Sequence, residues 1–367
     1  MKVSYHNYSR MHEFLRPFIR DELEVLLSLD SDSELFEYQF KTEKILGRML
    51  GDGYAVGLSS GTAALQLCLT GLGVGLGDEV LTVPLTYVAT VLAVSNCGAR
   101  PVFVDVCEDT MLMDADDIEH RLTKNSRVVL PVHLFGQMVD MAAMTRIGKS
   151  HALNIVEDAC QAHGASFRGN APGTFSAAAC YSFFINKGLG GIGNGGMVLT
   201  KRRSLAKSLH VLRNPEADDA LVLSSRRTPA YLDFVQLAFL KAKMQHFHDW
   251  IKKRREFAHR YNEALSNLLL TLPMEQKHAF HTYRDYAVRA DKRSRLQRFL
   301  AGKGVETVVH YATPVHLMRV FGHLDYRAGD FPVAENICRT VLSLPINPFL
   351  SDEEVGCVIS SVKSFFR

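Results

Sequence analysis

Apolar and polar positions follow two periods along this chain, and the switches between them outline its elements. From Ser33 a helix is expected, with Ser33 as its cap and Phe36, Phe40, Ile45 and Met49 among its apolar positions. Gly51-Asp-Gly53 ends it, and an apolar run at 54–58 enters Ser59-Ser-Gly-Thr-Ala-Ala-Leu. The pattern then predicts strands at 79–83, 101–105, 127–133 and 153–157, separated by helices at 87–95, 116–122 and 141–151. Two further strands, 181–185 and 197–200, flank a glycine-rich loop, and a helix follows at 204–212. Strands divided by helices of this length imply an α/β domain with a mostly parallel sheet, whose ligands sit beyond the carboxyl ends of the strands.

The ends of the chain are less regular. Residues 1–30 carry no readable period, and the polar stretch 214–230 breaks the rhythm at Pro215 and Pro229. Residues 231–270 read as one long helical stretch, whose basic run Lys252-Lys-Arg-Arg255 is expected to be a solvated face. Beyond 271, strand-like pieces at 285–289 and 305–309 mix with helices. The expected division is a large α/β domain over 1–250, including an N-terminal segment of 1–34, and a smaller α+β domain over 251–367.

Composition narrows the function classes. With 47% apolar residues in 367, the chain can bury a sizeable core. The net charge of +3, from 42 basic against 39 acidic residues, argues against a protein that coats nucleic acid. Seven scattered cysteines with no C-x-x-C pair fit reduced thiols rather than a disulfide framework or structural zinc. The N-terminus lacks the apolar segment of a signal peptide, and no run approaches a membrane span. A soluble, cytoplasmic protein with no membrane partner is the expectation.

Three stretches carry candidate chemistry. Lys187 opens a loop with six glycines in nine residues, 188–196, directly after an apolar run. A lysine in sheltered, apolar surroundings loses its proton more readily and becomes a usable nucleophile or Schiff-base former. Ser59-Ser-Gly-Thr62 lies between a strand and a helix, where free N–H groups and the helix dipole offer a phosphate seat. Taken in isolation, plain capping by Ser59 or Ser60, which needs no ligand, is the simpler explanation. Asp158, in Glu157-Asp-Ala-Cys-Gln-Ala-His163, ends an apolar strand and can face a protonated ring nitrogen, a metal or a following helix.

Other readings fare worse. Gly188-Leu-Gly-Gly-Ile-Gly193 matches G-x-G-x-x-G, but no helix starts at its third glycine and no ribose-binding acid follows about 20 residues on, so a structural turn fits better. His310-x5-His316 and His246-x-His248 lack a partnering carboxylate or cysteine, so no metal site is expected. No G-x-S-x-G elbow is present. Together, a phosphate seat, an Asp and a sheltered Lys form the set that pyridoxal phosphate requires: a phosphate clamp, an anion for its pyridinium and an amine for its aldehyde.

The sequence resembles the DegT/DnrJ/EryC1/StrS family of sugar aminotransferases, of the aspartate-aminotransferase fold (fold type I), over roughly residues 35–365. The residues that carry the resemblance include Ser59-Ser-Gly-Thr-Ala-Ala64, Gly77-Asp-Glu-Val80, Thr86-Tyr-Val-Ala-Thr90 and Ala99-Arg-Pro-Val-Phe-Val-Asp105. They continue with Pro131-Val-His-Leu-Phe-Gly136, Val156-Glu-Asp-Ala-Cys-Gln-Ala-His-Gly164, Tyr181-Ser-Phe-Phe-Ile-Asn-Lys187, His310-Tyr-Ala-Thr-Pro-Val-His316 and Leu342-Ser-Leu-Pro345.

The resemblance implies a pyridoxal 5'-phosphate enzyme working by ping-pong kinetics, moving an amino group from L-glutamate to a nucleotide-linked deoxy-keto-sugar. An aminocyclitol ketone as acceptor and a non-catalytic sensor are the alternatives. Lys187 would be the Schiff-base lysine and proton shuttle, and Asp158 would face the pyridinium. Tyr87 would stack on the ring, Gln161 would lie near its hydroxyl, and Gly61, Thr62 and Ser182 would hold the phosphate. His163, Asn194, His310, Tyr311 and His316 are the candidate substrate contacts. Relatives that dehydrate sugars carry histidine at the position of Lys187. A homodimer with shared active sites is implied. The chain departs from the family pattern at Asn194, at the N-terminal segment, and near Pro229, where Arg226 or Arg227 would replace a phosphate-binding Asn.

Overall fold

The structure, a computed structural model, describes residues 1–214 and 229–367. Arg226 and Arg227 therefore lie outside the described residues. In chain order the elements begin with α1 (Tyr8–Leu27), α2 (Asp32–Leu50), β1 (Tyr54–Leu58), α3 (Gly61–Gly71), β2 (Glu79–Thr82) and α4 (Val88–Asn96). Next come β3 (Arg100–Phe103), α5 (Ala115–Arg121), β4 (Ser126–Val129), α6 (Met141–Ser150) and β5 (Asn154–Asp158). They continue with β6 (Ser166–Phe167), β7 (Ala178–Ser182), β8 (Gly196–Thr200), α7 (Arg203–Leu212), α8 (Phe234–Met244) and α9 (Phe247–Leu265). The last are β9 (Ala279–Phe280), β10 (Tyr286–Arg289), α10 (Arg293–Gly302), α11 (Pro332–Thr340), β11 (Val341–Leu344) and α12 (Asp352–Phe366).

The expected α/β architecture is present as a seven-stranded sheet in the order β1-β8-β7-β5-β4-β2-β3. β8 pairs antiparallel with both neighbours and every other pairing is parallel, so six strands share one direction. Strand alternation splits the core into two layers. Ala179, Tyr181, Met197 and Leu199 face one layer, with residues of α2, α6 and α8, while Ala178, Cys180 and Val198 face the other, with α3, α4 and α7. A third cluster gathers α9, α10, α12, β10 and β11 around Tyr261, Tyr286 and Leu342. The 250/251 division falls inside α9, which runs unbroken and gives Phe247 and Ile251 to the first layer but Phe257 and Tyr261 to the third cluster.

Six local expectations are corrected. Residues 8–27, expected to carry no readable period, form an amphipathic helix: Leu15 and Ile19 are buried, and Met11, Phe18 and Leu23 pack beside them at helical spacing. α2 is capped by Ser31, whose side chain accepts from Glu34 N, rather than by Ser33. Three of the four apolar positions expected for it face outward, Phe36, Phe40 and Ile45 being 53%, 61% and 45% exposed, while Gln39, Thr42 and Glu43 share the buried face with Tyr38, Leu46 and Leu50. The reason is a buried ion pair, since Glu43 Oε1 accepts from Arg213 at 2.6 Å and from Gly57 N at 2.8 Å. The strand expected at 181–185 lies three residues earlier, because the small Ala178-Ala-Cys run is what fits between β5 and β8. The long helix expected over 231–270 breaks at Gln245-His246 into α8 and α9, and 305–309 makes only isolated bridges.

Asp158 and Glu157 point to opposite sides of β5, and Glu157 serves the scaffold. Its carboxylate takes His133 Nε2 at 2.6 Å, Gly173 N at 2.7 Å and Ser176 Oγ at 2.5 Å, all in the interior. Removing one side of such a buried network strands the other donors, at a cost of about 3–5 kcal/mol. Glu157→Ala should therefore lower the unfolding free energy by about that amount in a urea titration. A change below about 1 kcal/mol would show the network to be dispensable.

Candidate active site

A cavity of about 330 Å³ opens where β1, β5 and β7 end. Gly61 and Thr62, the first residues of α3, line it. Ser60 caps that helix, accepting from Ala63 N at 3.1 Å. A Cβ on Gly61 would stand 2.7 Å from Ser182 Cβ and 3.0 Å from Cys160 Sγ, so only glycine lets the helix start sit against β7. Ser182 Oγ accepts from Phe184 N at 3.3 Å, and its own proton has no acceptor among the described residues. A helix N-terminus, a close backbone approach and a free hydroxyl donor thus meet at one corner.

Asp158 closes β5 and faces the same cavity. Its Oδ2 accepts from Thr90 Oγ1 at 2.8 Å and its Oδ1 from Cys160 N at 3.1 Å. Thr90 is itself 2.8 Å from Thr86, so the carboxylate is held by α4 as well as by its own turn.

The chain leaves β7 at Ser182 and turns so that Lys187 N donates to Phe184 O at 2.8 Å. The Lys187 side chain is half-buried and lines the cavity. Its amine pKa is lowered, first by burial and then by Arg284, against the opposing pull of Cys160, Asp158 and Asp285. No charged residue stands near Lys187 in sequence, so these neighbours come entirely from the fold. Among the described residues Nζ has neither a hydrogen bond nor an ion pair.

The glycine loop is a built turn, as its sequence implies. Lys243 Nζ donates to the carbonyls of Gly190 at 2.5 Å and Gly191 at 3.1 Å. Gln236 Oε1 accepts from Ile192 N at 2.8 Å and Gly193 N at 3.1 Å. α8 therefore clamps the loop, and a Cβ on Gly191 would stand 2.1 Å from Gln236 Oε1.

Gln161 accepts from Phe135 N at 2.8 Å and donates to the Tyr311 hydroxyl at 3.0 Å. Tyr87, at the N-cap of α4, is 55% exposed at the rim, its ring 6.0 Å from that of Tyr311. Asn194, His310 and Tyr311 also line the cavity. His310 Nδ1 lies 3.0 Å from Ser343 Oγ, and burial raises the Tyr311 pKa.

The other two candidate contacts do not line the cavity. His163 is buried between Tyr181 and Phe183, and burial with the nearby Lys187 charge lowers its pKa to about 3. The Ser182 backbone lies near its ring but outside hydrogen-bond geometry, so both nitrogens are unpartnered. His316 is buried against Phe103 and Phe331, with Nε2 3.2 Å from Glu335. Sequence reasoning gave no site role to Asn186 or Arg284, which do line the cavity. Arg284 donates to Asn186 O at 3.0 Å and pairs with Asp285. Adjacent opposite charges at the edge of an apolar strand were the available signal. No group of three or more His, Cys, Asp or Glu is placed to hold a metal among the described residues. None of the described helices is long and apolar enough to cross a membrane.

The chain is 36% identical over 371 residues to a "Pleiotropic regulatory protein" of Geobacillus stearothermophilus, covering 100% of this chain and 99% of that one. It is 39% identical over 313 residues to a dTDP-3-amino-3,4,6-trideoxy-alpha-D-glucose transaminase of Streptomyces venezuelae, covering 85% and 83% of the two chains. The crystal structure of S. venezuelae DesV in complex with a ketimine intermediate is similar to this fold with a TM-score of 0.94. That likeness spans 100% of this chain and 99% of that one at 35% identity. The DegT/DnrJ/EryC1/StrS aminotransferase family profile matches residues 24–363, nearly the whole chain, and this protein belongs to that family.

Proposed function

We propose that this protein is a pyridoxal-phosphate aminotransferase that moves an amino group from L-glutamate to the keto group of a nucleotide-linked deoxy-keto-sugar. The carrying observation is the unpartnered, deprotonation-prone Lys187 in one cavity with Asp158 and the Gly61 corner. The residues fit the cofactor: the hollow at Gly61 is one that a Cβ would fill, and Ser182 offers an unused donor beside it. When bound, pyridoxal phosphate supplies an aldehyde that accepts the amino group and a ring that withdraws electrons from the reacting carbon.

The protein's own residues do the rest. Gly61, Thr62 and Ser182 would hold the phosphate at the positive end of α3. Asp158, pinned by Thr90, would stand opposite the ring nitrogen. Tyr87 would cover a ring face, and Gln161 would meet the ring hydroxyl from its place between Phe135 and Tyr311. Lys187, with its lowered pKa, carries the proton at Nζ between the reacting carbons. Asn194, His310 and Tyr311 would face the sugar at the mouth. The division into a cofactor-binding unit, 1–250, and a smaller unit, 251–367, belongs to the same reading. So does a homodimer with shared sites, supported by Phe36 and Phe40, one turn apart on α2 and both exposed.

The test is a two-step reaction on the cofactor-loaded protein. L-Glutamate should bleach the visible absorbance of the lysine-bound cofactor, and dTDP-, UDP- or GDP-linked keto-sugars should restore it. Restoration only by a cyclitol ketone would move the substrate to the aminocyclitol class. A second reading, a sensor that keeps the fold, draws support from the regulatory relative, and absence of a response to any amino acid would favour it.

A further inference from the structure

A second, smaller cavity of about 60 Å³ lies behind Lys187. It shares Asn186, Lys187 and Arg284 with the larger one, so Lys187 stands between the two. Its walls come from the segment leading into α1, from α8 and α9, and from the turn after β11. At ~15 Å³ per water-sized group it has room for roughly four heavy atoms, enough for a carboxylate and its methylene but not for a hexose.

Its charges do not balance. Lys243, Arg254 and Arg284 reach it besides Lys187, and Asp285 is the one carboxylate among the described residues that line it. Asp285 is already engaged, accepting from the Tyr5 hydroxyl at 2.5 Å and pairing with Arg284. Lys243 meets only the neutral carbonyls of Gly190 and Gly191. Arg254 is 9% exposed, yet has neither a hydrogen bond nor an ion pair among the described residues. The run Lys252-Lys-Arg-Arg255 is thus only half a solvated face: Lys252 and Lys253 are exposed, while Arg254 turns inward. The Arg254 side chain is largely covered, but its guanidinium opens into the chamber, where its five donors are unused and an anion would complete them. Burial and Arg284 lower the Arg254 pKa to about 10, and burial lowers that of Lys243 to about 8, as expected of cations lacking a counter-charge.

We propose that this chamber is a carboxylate subsite, in which Arg254 and Lys243 hold a carboxylate of the amino donor while its amino end lies on the Lys187 side. The assignment of the donor rests on the aminotransferase reading; the anion site itself does not. A guanidinium matches a carboxylate in a two-point hydrogen bond, which makes Arg254 the main determinant and Lys243 the second.

The single tryptophan of the chain, Trp250, lines the chamber and reports on its occupancy. Its emission is followed in the cofactor-loaded protein during titration with glutarate, a dicarboxylate without an amino group, and separately with chloride. Glutarate should give a saturable change and compete with L-glutamate. Arg254→Met should weaken glutarate and raise the KM for L-glutamate by about 10- to 100-fold, with the dependence on keto-sugar concentration unchanged. Arg254→Lys should recover part of the loss. Lys243→Met should weaken glutarate independently, so a misfolded Arg254→Met protein leaves the matter decidable. Unaltered glutarate binding and L-glutamate KM in the folded variants overturn the proposal. So does a chloride response that glutarate does not displace. Glutarate binding that depends on Arg254, in a protein that no amino acid bleaches, would keep the anion site, overturn its assignment to the donor, and count against the aminotransferase reading separately.

Discussion

Lys187→Ala should lower turnover by at least about 10³-fold, below the rate at which product accumulates over hours. The size follows from the two tasks that converge on one atom. Among the described residues that line the larger cavity Nζ is the only amine, and its lowered pKa suits it to the proposed proton transfer. Arg284 cannot take over, because it is bound to Asp285 and Asn186 O and a guanidinium does not release its proton. The variant should still bind the cofactor through the Gly61 corner, but borohydride should no longer fix it to the protein. Arginine at this position would keep the charge but not the chemistry, so Lys187→Arg should be equally inactive. Full amino transfer by either variant would end the proposed mechanism.

Asp158→Asn should cost about 10²–10³-fold in turnover while the fold and the Thr90 contact survive. The amide keeps the shape of the side chain: its oxygen can accept from Cys160 N while its NH2 donates to Thr90 Oγ1, whose own proton can turn to Thr86. What it would lose is the negative charge proposed to stand opposite the ring nitrogen, and with it the electron withdrawal that the proposed proton transfer by Lys187 would need. The loss should fall on the rate at saturating substrate, with the phosphate corner untouched. An Asp158→Asn protein with near-normal turnover would mean that the carboxylate serves only to anchor α4 against β5.

The difference between these two residues and their neighbours shows how far sequence reasoning reached. Asp158 and Lys187 were legible because each ends or follows an apolar strand, and a polar group there has few destinations other than a ligand. Glu157 sits beside Asp158 and looks equivalent in sequence, yet strand alternation sends it to His133 and Ser176 as scaffold. His163 and His316 matched family positions but lie outside the cavity lining, packed against aromatic rings. Apolar spacing misled on α2, where a buried Glu43–Arg213 pair turns Phe36 and Phe40 outward.

Local patterning by itself determined the alternation of strands and helices that builds the central sheet, the strand end at which Asp158 appears, and the glycine turn that follows Lys187. These depend on periods of two and 3.6 residues and on turn chemistry, all contained within a few neighbouring positions. Only the tertiary structure decided that β8 runs against its neighbours, that Lys243 clamps the loop beside Lys187 across 53 positions, and that Tyr5 meets Asp285 across 280. It also decided that Arg254 turns inward from a basic run toward a chamber with too few anions. The physical reason is that a charge is sheltered or solvated according to what packs over it, and here those covering residues come from both ends of the chain.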